Sequence, residues 1–157
     1  MNTYRHYFNI DPEYFPAVNP DVIRHNPDLW KKFYPHPSFV KLLKDTVAVL
    51  SRQQKLNIWV DGAYGTGKSH AVLTLQHLLE ASGDETKAYF EQFKLDRDLY
   101  KKFASVKSQG KILTVHRYGS SSINGDNDLF LTIQESISNA LKDVGIDDAS
   151  GMLALKD

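Results

Sequence analysis

Residues Gly62-Ala63-Tyr64-Gly65-Thr66-Gly67-Lys68-Ser69 form a complete phosphate-binding loop pattern, set directly between the apolar run Ile58-Trp59-Val60 and a helical run from His70 to Glu80. No other stretch constrains the chain as strongly, because both the spacing and the flanking elements fit one purpose. Glycines at 62, 65 and 67 remove the Cβ atoms that would block a close approach or a positive φ, so successive backbone N–H groups can turn toward one anion. The loop then opens a helix whose first N–H groups lack partners within the helix, and the positive end of its dipole faces the same anion. From this position Lys68 would reach the β- and γ-phosphates of a nucleotide, and the Ser69 hydroxyl would complete the coordination of Mg²⁺. His70, next in the chain, is a further candidate for contact with phosphate, set against its plainer role as an exposed residue of a first helical turn. The expected ligand is a nucleoside triphosphate with Mg²⁺, held by residues 62 to 70.

Composition narrows the setting. The chain has 157 residues, 41% of them hydrophobic, enough for one soluble globular domain with its own core. Its 19 basic side chains balance 19 acidic ones, so no overall positive field favours nucleic acid, although a local patch would still be compatible with it. The absence of cysteine excludes disulfides and thiolate metal sites. Six histidines lack the paired helical spacing of a zinc site. No stretch resembles a signal peptide or reaches membrane-spanning length, and a cytoplasmic location without membrane association is the expectation.

The order of elements follows from spacing and punctuation. Residues 1–37 interleave eight aromatic side chains with six prolines, which precludes a long helix and predicts an aromatic-rich extension with a brief helix around Asp28 to Phe33. Such an extension packs on its own domain or serves as a docking surface. Residues 38–145 carry the nucleotide-binding domain and 146–157 a tail of little pattern. Phe39, Leu42, Leu43, Thr46, Val47 and Leu50 predict an amphipathic helix from Ser38, its expected cap, to Ser51. A buried strand is predicted over Leu56–Val60, and the helix after the loop should stop at Ser82-Gly83. Asp84 and Asp96 are expected to cap two further helices, the first holding Tyr89 and Phe93, the second Leu99, Tyr100 and Phe103. A second, parallel strand is predicted over Lys111–His116, then a polar loop from Arg117 to Asn127, then a helix from Asp128 to Val144 ended by Gly145. Within that loop Arg117 with Ser120, Ser121 and Ser122 is a candidate phosphate or partner contact, or a solvated connection. The resulting fold class is α/β, a parallel sheet flanked by helices and incomplete at its far edge.

This succession of helix, strand, phosphate loop, helix, strand and helix over residues 38–144 resembles the opening of an AAA+ or STAND-type P-loop ATPase. The run Tyr64-Gly-Thr-Gly-Lys-Ser-His70 and the stretch Tyr14-Phe15-Pro16 are similar to large ATPases of bacterial phage-defence systems of the BREX type. The resemblance implies ATP and Mg²⁺ as ligands, carried by Gly62, Gly65, Gly67, Lys68 and Ser69, and a contact to adenine from Pro37 and Phe39. The same two residues also read as a proline entering a helix and a core phenylalanine. The chain departs from that family in lacking a recognisable second acidic site at the end of another buried strand. His116-Arg117 ends the second predicted strand, and Asp84-Glu85 and Asp147-Asp148 do not follow apolar runs. ATP binding with weak or absent hydrolysis by the chain alone is therefore the expectation, as is association with itself or with protein partners through an unfinished sheet edge. Two other classes are an ATP-gated scaffold without hydrolysis of its own and, less favoured for want of an arginine-rich lid, a small-molecule P-loop kinase.

Overall fold

The computed structural model describes residues 28–53, 57–117 and 124–146. The chain divides into two compact units, Met1–Gly110 and Lys111–Asp157. The first holds a short 3₁₀ turn, Leu29–Lys32, and four helices: α1 (Pro37–Leu50), α2 (Lys68–Glu80), α3 (Gly83–Gln92) and α4 (Arg97–Lys107). The second holds α5 (Asp126–Asp143).

Local chemistry sets each helix start. Pro37 occupies the first turn of α1, where its missing N–H costs nothing, and His36 rather than Ser38 is the cap, its Nδ1 accepting the Phe39 N–H at 3.3 Å. Ser82, not Asp84, caps α3 in a full capping box: its hydroxyl accepts from Glu85 N while the Glu85 carboxylate accepts from Ser82 N. This reciprocal pair needs a residue three positions before a glutamate, which Asp84 is not. Asp96 caps α4 as its position in the sequence suggests, accepting from the N–H groups of Asp98 and Leu99.

The core of the first unit lies between helices. α1 packs on α4, α4 on α3, and α2 on the 3₁₀ turn. Phe39, Leu43, Leu78, Tyr89 and Phe103 are almost wholly buried, and Trp30 closes one end against Tyr89 and His77. The Tyr89 hydroxyl donates to the Phe33 carbonyl at 2.8 Å, tying the chain entering α1 to α3, and burial pushes its pKa up. Lys107 ties the C-terminal end of α2 to α3 and α4. Its ammonium donates to the carbonyls of Leu78 (2.8 Å) and Ala81 (2.5 Å) and to the Thr86 hydroxyl (3.0 Å), so a cation sits at the negative end of α2.

The expected parallel sheet is not formed: the described residues contain helices and no strand. Ile58 and Val60 are 38% and 40% exposed and Trp59 is 91% exposed, in a segment without regular structure. In the second unit, Lys111–His116 is likewise irregular, and Val115 is exposed. An apolar run becomes a strand only when a ladder satisfies its backbone and a covering layer takes its side chains. Here the apolar stripes of α1, α3 and α4 are spent on one another, leaving no such layer. α5 begins at Asp126, two residues before its expected start, and none of its residues is buried; Leu129, Phe130, Leu131 and Ile133 are all more than 40% exposed. The aromatic extension up to residue 27, the serines at 120–122 and the tail from 147 lie outside the described residues.

Glu85 makes the first unit sensitive to acid. The Lys31 ammonium at 3.0 Å and the Ser82 N–H and hydroxyl hold its carboxylate down at about 2, against an ordinary value of 4.5. A depressed carboxylate stabilises the fold above its unfolded value and loses that contribution as pH falls through its folded value. With 45% of the side chain exposed, screening trims the effect to below about 1 kcal/mol. Thermal melts of Glu85→Gln and wild type should therefore converge as pH falls from 4.5 to 2, with wild type the more stable above that window.

Candidate functional site

The Gly62–Ser69 loop is a preformed turn. Gly65 and Gly67 both have φ +79°, and Gly67 stands at the N-cap of α2. A side chain at either would cost roughly 1–2 kcal/mol of left-handed backbone strain, which explains why glycine recurs here. At Gly62 the reason is also steric, since a Cβ would lie 3.1 Å from Thr66 Oγ1. Internal hydrogen bonds close the turn: Thr66 Oγ1 donates to the Ala63 carbonyl at 2.8 Å, and the Gly62 N–H to Asp61 Oδ1 at 2.7 Å. Lys68 folds back over the loop, donating to the carbonyls of Gly62 (2.5 Å) and Ala63 (2.6 Å). The α2 helix starts at Lys68, two residues earlier than periodicity suggests, its first hydrogen bond running from the Ala71 N–H to the Gly67 carbonyl at 2.9 Å.

Beside the loop lies a cleft of about 320 Å³, walled on one side by Ile58–Gly62, Thr66, Gly67 and Lys68 and on the other by the first two turns of α1 with His36. Its size falls within the range of small-molecule sites, roughly 300–1,000 Å³. Asp45 and Asp61 supply its carboxylates; Asp45 is paired with Lys41 at 2.6 Å. Of the residues singled out from sequence, Gly62, Thr66, Gly67 and Lys68 share this cleft, whereas Ala63, Tyr64, Gly65, Ser69 and His70 do not line it. The Tyr64 side chain is fully exposed, and Ser69 is exposed in the first turn of α2. His70 is half-buried with its ring 5.2 Å from that of Phe33, and burial lowers its pKa; His77, two turns on, is lowered for the same reason, opposed by Glu80.

Phe39 is 1% exposed, a core residue at the floor of the cleft, while the exposed Pro37 lines a neighbouring cleft with Tyr34, Val40 and Lys44. Arg117 is exposed in the second unit. Among the described residues no group of three histidine or acidic side chains could hold a metal ion, and no helix is long and apolar enough to cross a membrane. Sequence reasoning missed His36, Lys41 and Asp45. The Pro37 that follows His36 was the available signal, because a proline in the first turn marks the residue before it as the cap. No family of known proteins, no curated protein and no solved structure matches the chain.

Proposed function

We propose that the chain binds a nucleoside triphosphate, ATP in the first instance, with Mg²⁺ through Gly62–Ser69. One observation carries this reading: Gly65 and Gly67 adopt left-handed backbone geometry at the start of α2, directly beside a cleft that Lys68 lines. Backbone N–H groups at a helix start, joined by one ammonium, suit an anion, and their spacing over the loop favours a polyphosphate. The ligand must compete for Lys68, because its ammonium already serves two carbonyls of the loop. Mg²⁺ would neutralise charge on the phosphate oxygens, and the exposed Ser69 hydroxyl, unlike that of Thr66, which donates to the Ala63 carbonyl, is left to coordinate it. Both carboxylates lining the cleft are engaged, Asp45 by Lys41 and Asp61 by Gly62 N–H, which supports binding with slow turnover. A switch or a motor component of the AAA+ or STAND kind, acting in phage defence, is the setting that the sequence resemblance favours.

Calorimetric titration with ATP, GTP and a non-hydrolysable ATP analogue, each with and without Mg²⁺, tests the reading. Heat on mixing with ATP, and a loss of about tenfold in affinity when Mg²⁺ is removed, is the expected result, with Ser69→Ala reducing that Mg²⁺ dependence. Absence of heat at saturating nucleotide would sink the proposal. A second reading, an ATP-gated scaffold, draws on the exposed Trp59 and Tyr64 on either side of Gly62. Light scattering separates the two, since only a scaffold changes mass when nucleotide is added.

A further inference from the structure

We infer that His36 is a second ligand-binding side chain of the phosphate-loop cleft, donating a hydrogen bond from Nε2 to an anionic oxygen of the bound phosphate chain. The inference rests on the phosphate-loop reading above and adds a residue from outside that loop. The structure gives His36 Nδ1 a defined duty: it accepts the Phe39 N–H at the start of α1. An imidazole nitrogen that accepts carries no hydrogen, so the neutral ring bears its proton on Nε2, and that atom is a donor. Among the described residues no protein acceptor takes it, and His36 lines the same cleft as Gly62, Gly67 and Lys68.

The ring is also held in place. It meets Phe33 at 5.7 Å and Phe39 at 6.5 Å, both edge-on, and cannot turn without giving up its cap. Phe33 in turn lies 5.2 Å from the ring of His70, in the first turn of the helix that the phosphate loop opens. One phenylalanine thus bridges His36 to the start of α2. A fixed donor of this kind loses little freedom on binding.

Two substitutions separate the cap from the ligand contact. In His36→Asn the side-chain oxygen still caps α1, asparagine being among the best N-caps, but the Nε2 donor is gone; His36→Ala loses both. Titrations with ATP and with inorganic triphosphate, alongside thermal melts, give the readout. His36→Asn should melt within about 2 °C of wild type and bind both ligands about five- to tenfold more weakly. In ¹⁵N spectra of the wild type, triphosphate should shift the protonated Nε2 of His36 and leave Nδ1 as an acceptor. Unchanged affinity in His36→Asn would overturn the inference, as would a loss confined to ATP, which would assign His36 to the nucleoside. Should the wild type bind neither ligand, the phosphate-loop reading itself fails, a result distinct from a competent wild type with an indifferent His36→Asn.

Discussion

Lys68→Ala is expected to weaken ATP binding by about 10- to 100-fold while leaving the melting temperature within a few degrees of wild type. The first half follows from charge. A lysine ammonium that bridges phosphate oxygens makes charge-assisted hydrogen bonds worth about 1.5–3 kcal/mol, and about 2.7 kcal/mol is a hundredfold in affinity. The backbone N–H groups of the loop survive the substitution, but alone they offer only partial charges. The second half follows from exposure: the two carbonyls that Lys68 serves belong to an exposed loop, where water replaces the lost donor, so stability changes by about 0.5 kcal/mol or less. Isothermal titration and a thermal melt on the same preparation check both halves. Binding within threefold of wild type would show that the loop is only a turn.

The largest effect on stability belongs to Phe103→Ala, which should cost about 3–5 kcal/mol, the range for removing a buried aromatic side chain. Phe103 is 1% exposed on the face of α4 that meets its neighbours; its ring lies 5.8 Å from that of Phe90, and the Lys107 ammonium lies 5.8 Å from its centre. The ring therefore supports both the α3–α4 contact and the cation that closes the end of α2. Relaxation fills little of the void, because α4 is packed against both α1 and α3. For a domain of this size the melting temperature should fall by more than about 12 °C. Urea titration gives the free energy directly, and a change below about 1 kcal/mol would contradict the helix-on-helix core.

How much of this was legible depended on the range of the interactions involved. The capping of α4 by Asp96 and the loop Gly62–Ser69 could be read directly, because each depends on residues within a few positions of one another. The cap of α3 is equally local, since Ser82 stands three residues before Glu85 and completes a capping box. His36, by contrast, was hidden. Histidine is an uncommon cap, and its place in the cleft depends on how α1 lies against Ile58–Gly62, which no spacing reveals. Lys107 shows the same limit: a lysine in the last turn of α4 reads as solvated, yet it reaches back to carbonyls 26 and 29 residues earlier.

By itself, the sequence settled the backbone of the Gly62–Ser69 turn, since a left-handed turn needs glycine wherever it lies, and the amphipathic stripe of each helix, since periodicity is a property of the chain alone. What became of those stripes was a tertiary decision. Ile58-Trp59-Val60 has the composition of a buried strand, but a strand is made by its neighbours, and the helices beside it turned their apolar faces toward one another. In the second unit, Leu129, Phe130 and Leu131 of α5 are exposed. Apolar residues state only that burial is favourable; which surface buries them is settled by the packing of elements far apart in the chain.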